Sequence, residues 1–151
     1  MRKIKIIITN VFILTFLSII SCKENREKTP DELKMELQIL EENNPLQYLE
    51  LVQTTIQRNK IKEAGLFSSA KYDGYLITGK VKNSATLTKF KDLKLMVEFY
   101  SQTKTVIESK SYVKFEYFAP NTTKEFTLKV DPPEAMKGFG VSVIEASPTY
   151  E

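Results

Sequence analysis

The segment Leu93-Lys94-Leu95-Met96-Val97-Glu98-Phe99 carries the clearest structural pattern in the chain. Its apolar side chains recur at every second residue, the period of an extended chain and not of a helix. A strand patterned this way buries one face and needs a second layer to bury it against. The same alternation recurs on both sides of it. Tyr75, Ile77, Gly79 and Val81 share a face opposite Leu76, Thr78 and Lys80. Val113, Phe115 and Tyr117 read as another inward row, entered through Val106-Ile107. Phe126, Leu128 and Val130 read as the next, and Phe139, Val141 and Val143 as the last. Polar or proline-bearing breaks separate the rows: Tyr72-Asp73-Gly74, Ser101 to Lys104, Pro120-Asn121 and Asp131-Pro132-Pro133. Tyr48 to Ile56 fits a helix or a strand by period alone, and the β-branched residues in its second half favour a strand. No two rows are bridged by a long helical pattern, which argues against a parallel α/β sheet. The expectation is a mainly β chain with six or seven short antiparallel strands in a sandwich over residues 45–151.

Ahead of that domain lies one helical signal. Thr29-Pro30-Asp31-Glu32 has a capping residue, a proline suited to the first helical position and a glutamate three residues after the cap. Leu33, Leu37 and Leu40 then follow at helical spacing, widened by Met35 and Ile39, until Asn43-Asn44-Pro45 stops the run. A short helix over 29–44 is predicted, its apolar stripe packing on the domain or, less favoured, on a partner. The adjacent Glu41 and Glu42 near its end read as a solvated face. Lys23 to Lys28 (KENREK), charged and without apolar residues, reads as a tether over 22–28.

Residues 1–21 have the layout of a secretory signal: Arg2, Lys3 and Lys5, then an apolar run from Ile6 to Ile20, then the small Ser21. The run is short for a membrane span, which needs about 20 apolar residues. Ile19-Ile20-Ser21-Cys22 resembles the bacterial lipobox. That resemblance implies cleavage between Ser21 and Cys22 and lipidation of Cys22, with a membrane as the partner of the attached acyl chains. Each buried CH₂ stabilises such an anchor by about 0.8 kcal/mol.

The anchor changes how the charge is read. The chain carries 22 basic and 19 acidic residues, and removing Arg2, Lys3 and Lys5 leaves 19 basic. A neutral mature domain offers no electrostatic case for nucleic acid or for an anionic membrane. Cys22 is the only cysteine, so its lipidation leaves no thiol for a disulfide, a metal or catalysis.

Histidine is absent, which excludes Ser-His-Asp and Cys-His sites and His-ligated metals. The five glycines form no phosphate-cradling loop. Asp131 and Glu134 flank Pro132-Pro133 without a calcium-loop pattern, and Asn121-Thr122-Thr123 reads as a turn. Catalysis would have to use carboxylates, lysine, tyrosine or serine, and no motif raises a Ser-Lys pair among them. No catalytic residue, metal or cofactor is therefore expected. Tyr100, Tyr112 and Phe118 fall opposite the inward rows as read above. They are the candidate interaction surface, for a protein or a glycan; the plainer reading is that they pair across strands or underlie the N-terminal helix.

A second resemblance covers roughly residues 70–146. Gly79-Lys80-Val81-Lys82-Asn83 is similar to the G-x-V-x-N strand end of small immunoglobulin-like modules of the FxLYD type. Val97 to Ser101 (VEFYS) would occupy the motif that names them, with Val97 in place of Phe and Ser101 in place of Asp. Pro120 to Phe126 (PNTTKEF) resembles their turn into the next strand. The likeness implies an immunoglobulin-like sandwich and brings no active site. The order of signal, tether, helix and sandwich is also similar to lipoproteins of Bacteroidota. The expected function is a lipid-anchored, non-catalytic binding or assembly module of the cell envelope, with an envelope protein as a possible partner. Outer membrane is favoured over inner, because no Asp follows Cys22. The alternatives are an envelope small-ligand-binding or stress protein, or a carboxylate-based hydrolase.

Overall fold

The structure is a computed structural model that describes residues 26–149, so the signal segment, the Ser21–Cys22 cleavage site and the start of the tether lie outside it. Arg26 to Thr29 carry no regular structure and are exposed. Helix α1 runs Pro30–Asn43, with Pro30 opening it, as the sequence predicts. The Asn44 amide donates to the Leu40 carbonyl at 2.9 Å and satisfies the last turn. A single turn, α2 (Pro45–Tyr48), leads directly into β1 (Leu49–Lys62). Five more strands follow: β2 (Lys71–Asn83), β3 (Phe90–Tyr100), β4 (Val106–Lys114), β5 (Thr122–Val130) and β6 (Gly138–Pro148).

Two three-stranded antiparallel sheets result, ordered β1-β2-β5 and β4-β3-β6. The hairpin β1–β2 lies in one sheet and the hairpin β3–β4 in the other. The chain then returns β5 to the side of β2 and β6 to the side of β3. This is the strand exchange of an immunoglobulin-like sandwich, with six strands among the described residues.

The core is the meeting of the predicted rows. Leu93, Leu95, Val97 and Phe99 are wholly buried, as are Ile77 and Val81 across from them, and Phe126, Leu128 and Val130 close the layer. Phe139, Val141 and Val143 of β6 are half-buried against it. Gly79 lets two of these strands approach: a Cβ there would come within 2.6 Å of the Gln53 carbonyl oxygen and 2.7 Å of the Phe126 ring. The Phe126 ring thus occupies the space a side chain at 79 would need.

Three expectations are corrected. Tyr72-Asp73-Gly74 is not a turn between strands but lies inside β2. Arg58 pairs with Tyr75 and Lys60 with Tyr72, so Asp73 and Gly74 together oppose the single Asn59. Gly74, at φ +70, makes the bulge that absorbs the extra residue, and the true turn lies further out, at Gly65–Ser68.

Val113, Phe115 and Tyr117 are not an inward row. β4 ends at Lys114, Phe115 is 81% exposed, and Tyr112 is the residue opposite the buried Leu95. Apolar residues of both parities occur from 112 to 118, so the sequence alone leaves the face open and pairing with β3 settles it. Glu108, Lys110 and Lys114 share the face of Tyr112, and charges pointing inward at an edge strand protect it from pairing with other chains.

The stripe of α1 does not pack on the domain. Leu33, Met35, Ile39 and Leu40 are about half exposed or more, and only Leu37 is half-buried.

Candidate interaction surface

The loop between β2 and β3, residues 84–89, is where the fold is tied together. Asn83, the last residue of β2, is wholly buried. Its amide nitrogen donates to the carbonyls of Thr88 and Phe118, each at 3.0 Å, and its oxygen accepts from the Ala85 N–H at 2.9 Å. One side chain thereby fastens the β2 end, the loop and the segment before β5. The Asn121 N–H adds a bond to the Ala85 carbonyl, and the Ser84 N–H one to Tyr48 at the entry to β1. Asn121 itself sits at φ +53, a left-handed position that asparagine tolerates. The strand end and the PNTTKEF turn quoted for the FxLYD resemblance therefore meet at this loop.

The same loop holds α1. Thr86, Leu87 and Thr88 turn three successive N–H groups onto the Glu41 carboxylate at 2.6, 3.0 and 2.8 Å. Such a run of amides is an anion nest, and here its occupant is a side chain 45 residues earlier in the chain. Glu41 is 1% exposed, so its reading as a solvated residue is wrong. Burial pushes its carboxyl up, but the three amides outweigh this and hold its pKa below the ordinary glutamate value. A signal for this was present in the sequence. An acid in the last turn of a helix opposes the macrodipole, and α1 has no basic residue there to offset it. Glu41 finds its compensating donors outside the helix.

The consequence is a helix fixed at one end with its apolar stripe uncovered. Leu33, Met35, Ile39 and Leu40 stand out from the domain, joined by the exposed Leu46 of α2. Groups of apolar side chains left open in this way mark sites of association.

The three aromatics predicted from sequence do not form such a surface. Phe118 is 2% exposed, its backbone exchanging hydrogen bonds with Phe90, because its segment closes the end of the core. Tyr112 faces inward and packs against the core. Tyr100 alone is on the outer face. Its ring lies over Gly140 of β6, within 3.2 Å of where a Cβ would be, and its hydroxyl donates to Glu98 at 2.6 Å. That bond raises the phenol pKa.

Two apolar residues went unnoticed in the sequence. Leu66 and Phe67 occupy the tip of the β1–β2 hairpin and are almost fully exposed. Among the described residues no three acidic side chains converge in a way that could hold a metal ion. The depression on the outer face of the β1-β2-β5 sheet is open and lined mainly by threonine, Gln53 and the paired Lys80 and Glu125. No described helix is long and apolar enough to cross a membrane.

No protein-family model matches the sequence, and no curated protein matches it. Among solved structures, the chain is similar to the trimeric lipoprotein SadB of Salmonella enterica. The TM-score is 0.39 at 10% identity, with 95% of this chain and 78% of that one covered. At that score the likeness does not extend to function or assembly.

Proposed function

We propose that this chain is a lipid-anchored cell-envelope protein whose sandwich serves as a non-catalytic binding or assembly module. The observation that carries the binding role is α1: a helix pinned by Glu41, with Leu33 and Leu40 uncovered and Leu37 half-buried between them among the described residues. An amphipathic helix of this kind is the usual occupant of an apolar groove, read through anchors at i, i+4 and i+7. The partner is therefore an envelope protein with such a groove. The anchor rests on the lipobox-like Ile19 to Cys22, and the absence of Asp after Cys22 favours the outer membrane. Two of the FxLYD-type motifs, Gly79–Asn83 and Pro120–Phe126, support the sandwich as a module, since they meet at the loop 84–89 and Asn83 and Asn121 there join segments of backbone.

The small-ligand alternative has less support, because the space between the sheets is filled by side chains. For the hydrolase alternative, no group of three acidic side chains converges among the described residues.

A photo-crosslinker placed at Met35 or Ile39, both exposed on α1, should capture one discrete partner at native abundance in intact cells. Leu33→Glu with Leu40→Glu should abolish capture while leaving the thermal midpoint within a few degrees, since exposed substitutions change stability by about 0.5 kcal/mol or less. Capture of nothing specific would remove the binding role. Mass spectrometry of the mature N-terminus tests the anchor separately, which an unmodified Cys22 would exclude.

A further inference from the structure

The β1–β2 hairpin outgrows its sheet. β5 pairs with β2 only from Tyr75 to Asn83, so beyond Tyr75 the two strands continue as a free two-stranded arm. From Arg58 to Gly65 it extends about 20 Å at 3.3 Å per residue. Gly65 and Ser68 close its end with two backbone hydrogen bonds, at 2.9 and 3.3 Å. Leu66 and Phe67 are thereby the two central residues of the turn, 92% and 97% exposed. Such turn positions are normally glycine or small polar residues, and neither side chain contributes to the fold.

The arm is also basic. It holds Arg58, Lys60, Lys62 and Lys71 against Glu63 and Asp73. Lys60 is paired with Glu63 and Asp73 with Lys129, while Arg58 lies over the Tyr72 ring at 5.6 Å. Lys62 and Lys71 are different. They are directly opposite each other in the ladder and have no ion pair among the described residues. Like charges facing across a ladder repel, and an external anion between them would relieve that repulsion. Each is four residues from the tip, about 13 Å along the strand.

We propose that this arm is a membrane-docking finger that inserts Leu66 and Phe67 into an anionic phospholipid surface. With the two apolar residues at the boundary of headgroups and acyl chains, the long Lys62 and Lys71 side chains reach the phosphate layer. An interfacial segment buries about 5–10 Å deep, and each lysine near an anionic surface adds attraction. A convex apolar tip with lysines set back from it suits a bilayer, which has no preformed pocket but supplies anions in a plane. The finger does not depend on the anchor at Cys22, and the two can be measured together.

The chain contains no tryptophan, so Phe67→Trp introduces a single reporter at the tip. The full-length chain carrying it is mixed with vesicles of equal parts phosphatidylglycerol and phosphatidylcholine, in part brominated on the acyl chains. The indole emission of this variant should move to the blue and be quenched by the bromine. Phe115→Trp, exposed elsewhere on the domain, should show neither change. Lys62→Gln with Lys71→Gln should lower the docked-to-undocked ratio by about thirtyfold, at the attraction expected of two surface lysines, and phosphatidylcholine alone should lower it similarly. Flotation of the vesicles reports the anchor independently. A Phe67→Trp chain that floats while its indole stays solvent-like and unquenched overturns the finger and leaves the anchor standing. Equal quenching on neutral and anionic vesicles, or a blue shift only when envelope proteins are added, also overturns it.

Discussion

Replacing Glu41 by alanine should destabilise the domain by about 3–5 kcal/mol, seen as a lower urea midpoint with little change in slope. Three N–H groups, of Thr86, Leu87 and the buried Thr88, lose a charged acceptor at once. Each such bond contributes about 1.5–3 kcal/mol, and partial rehydration of the loop reduces the total. Against a usual domain stability of about 5–15 kcal/mol this is a large fraction. Glu41→Gln keeps one acceptor oxygen but turns an amide NH₂ towards the donors, and should lose about half as much.

The pH dependence has a definite sign. The folded pKa of Glu41 is below its ordinary value, so the carboxylate contributes its stability above the unfolded glutamate pKa of about 4.3. That contribution falls away as pH drops through the lower folded value. Urea midpoints of wild type and Glu41→Gln should therefore converge below about pH 4 and separate above it. A constant gap across that range would show that the carboxylate charge is not what holds the loop.

Asn83→Ala should cost about 3 kcal/mol, because one buried side chain satisfies two carbonyls and one N–H from three parts of the chain. The more telling substitution is Asn83→Asp, nearly identical in shape. It retains the acceptor for Ala85 but places an oxygen against the carbonyls of Thr88 and Phe118 where a donor belongs. It should be at least as damaging as alanine. Chemical denaturation of the two variants decides this. Asn83→Asp folding within about 1 kcal/mol of wild type would mean that the shape of the side chain, and not its hydrogen bonds, matters there.

The sandwich was legible because the burial of one face imposes a period on the chain. Leu93 to Phe99 and Phe126 to Val130 each present a single parity of apolar residues, and both rows lie in the core. Where both parities carry apolar side chains, as from Tyr112 to Phe118, the periodic signal vanishes and the partner strand chooses the face. That ambiguity misplaced the aromatic surface, sending Tyr112 and Phe118 inward and leaving Tyr100 outside. The bulge at Gly74 was hidden for a related reason. A glycine with positive φ ends some strands and bends others, and only the register with β1 distinguishes them. Glu41 meets its donors through tertiary structure, and periodicity within α1 contains no record of residues 86–88. The exposed stripe of α1 has the same helical spacing as a packed one, so spacing identified the helix but not its neighbour.

The clamp at Glu41 also has a mechanical meaning. Tension applied to the chain ahead of Pro30 reaches the domain through α1, and α1 is held by hydrogen bonds at its far end. If those bonds yield before the sheets, the 14 residues of α1 can unwind. They would lengthen from about 21 Å of helix to about 46 Å of extended chain. The helix would then act as a fuse of about 25 Å of slack, taking up a sudden pull while the paired strands stay intact. Single-molecule stretching from the N-terminal side should register this release as a short extension before the main rupture. Glu41→Ala should shift it to lower force, and one simultaneous rupture of helix and sandwich would show that no such fuse exists.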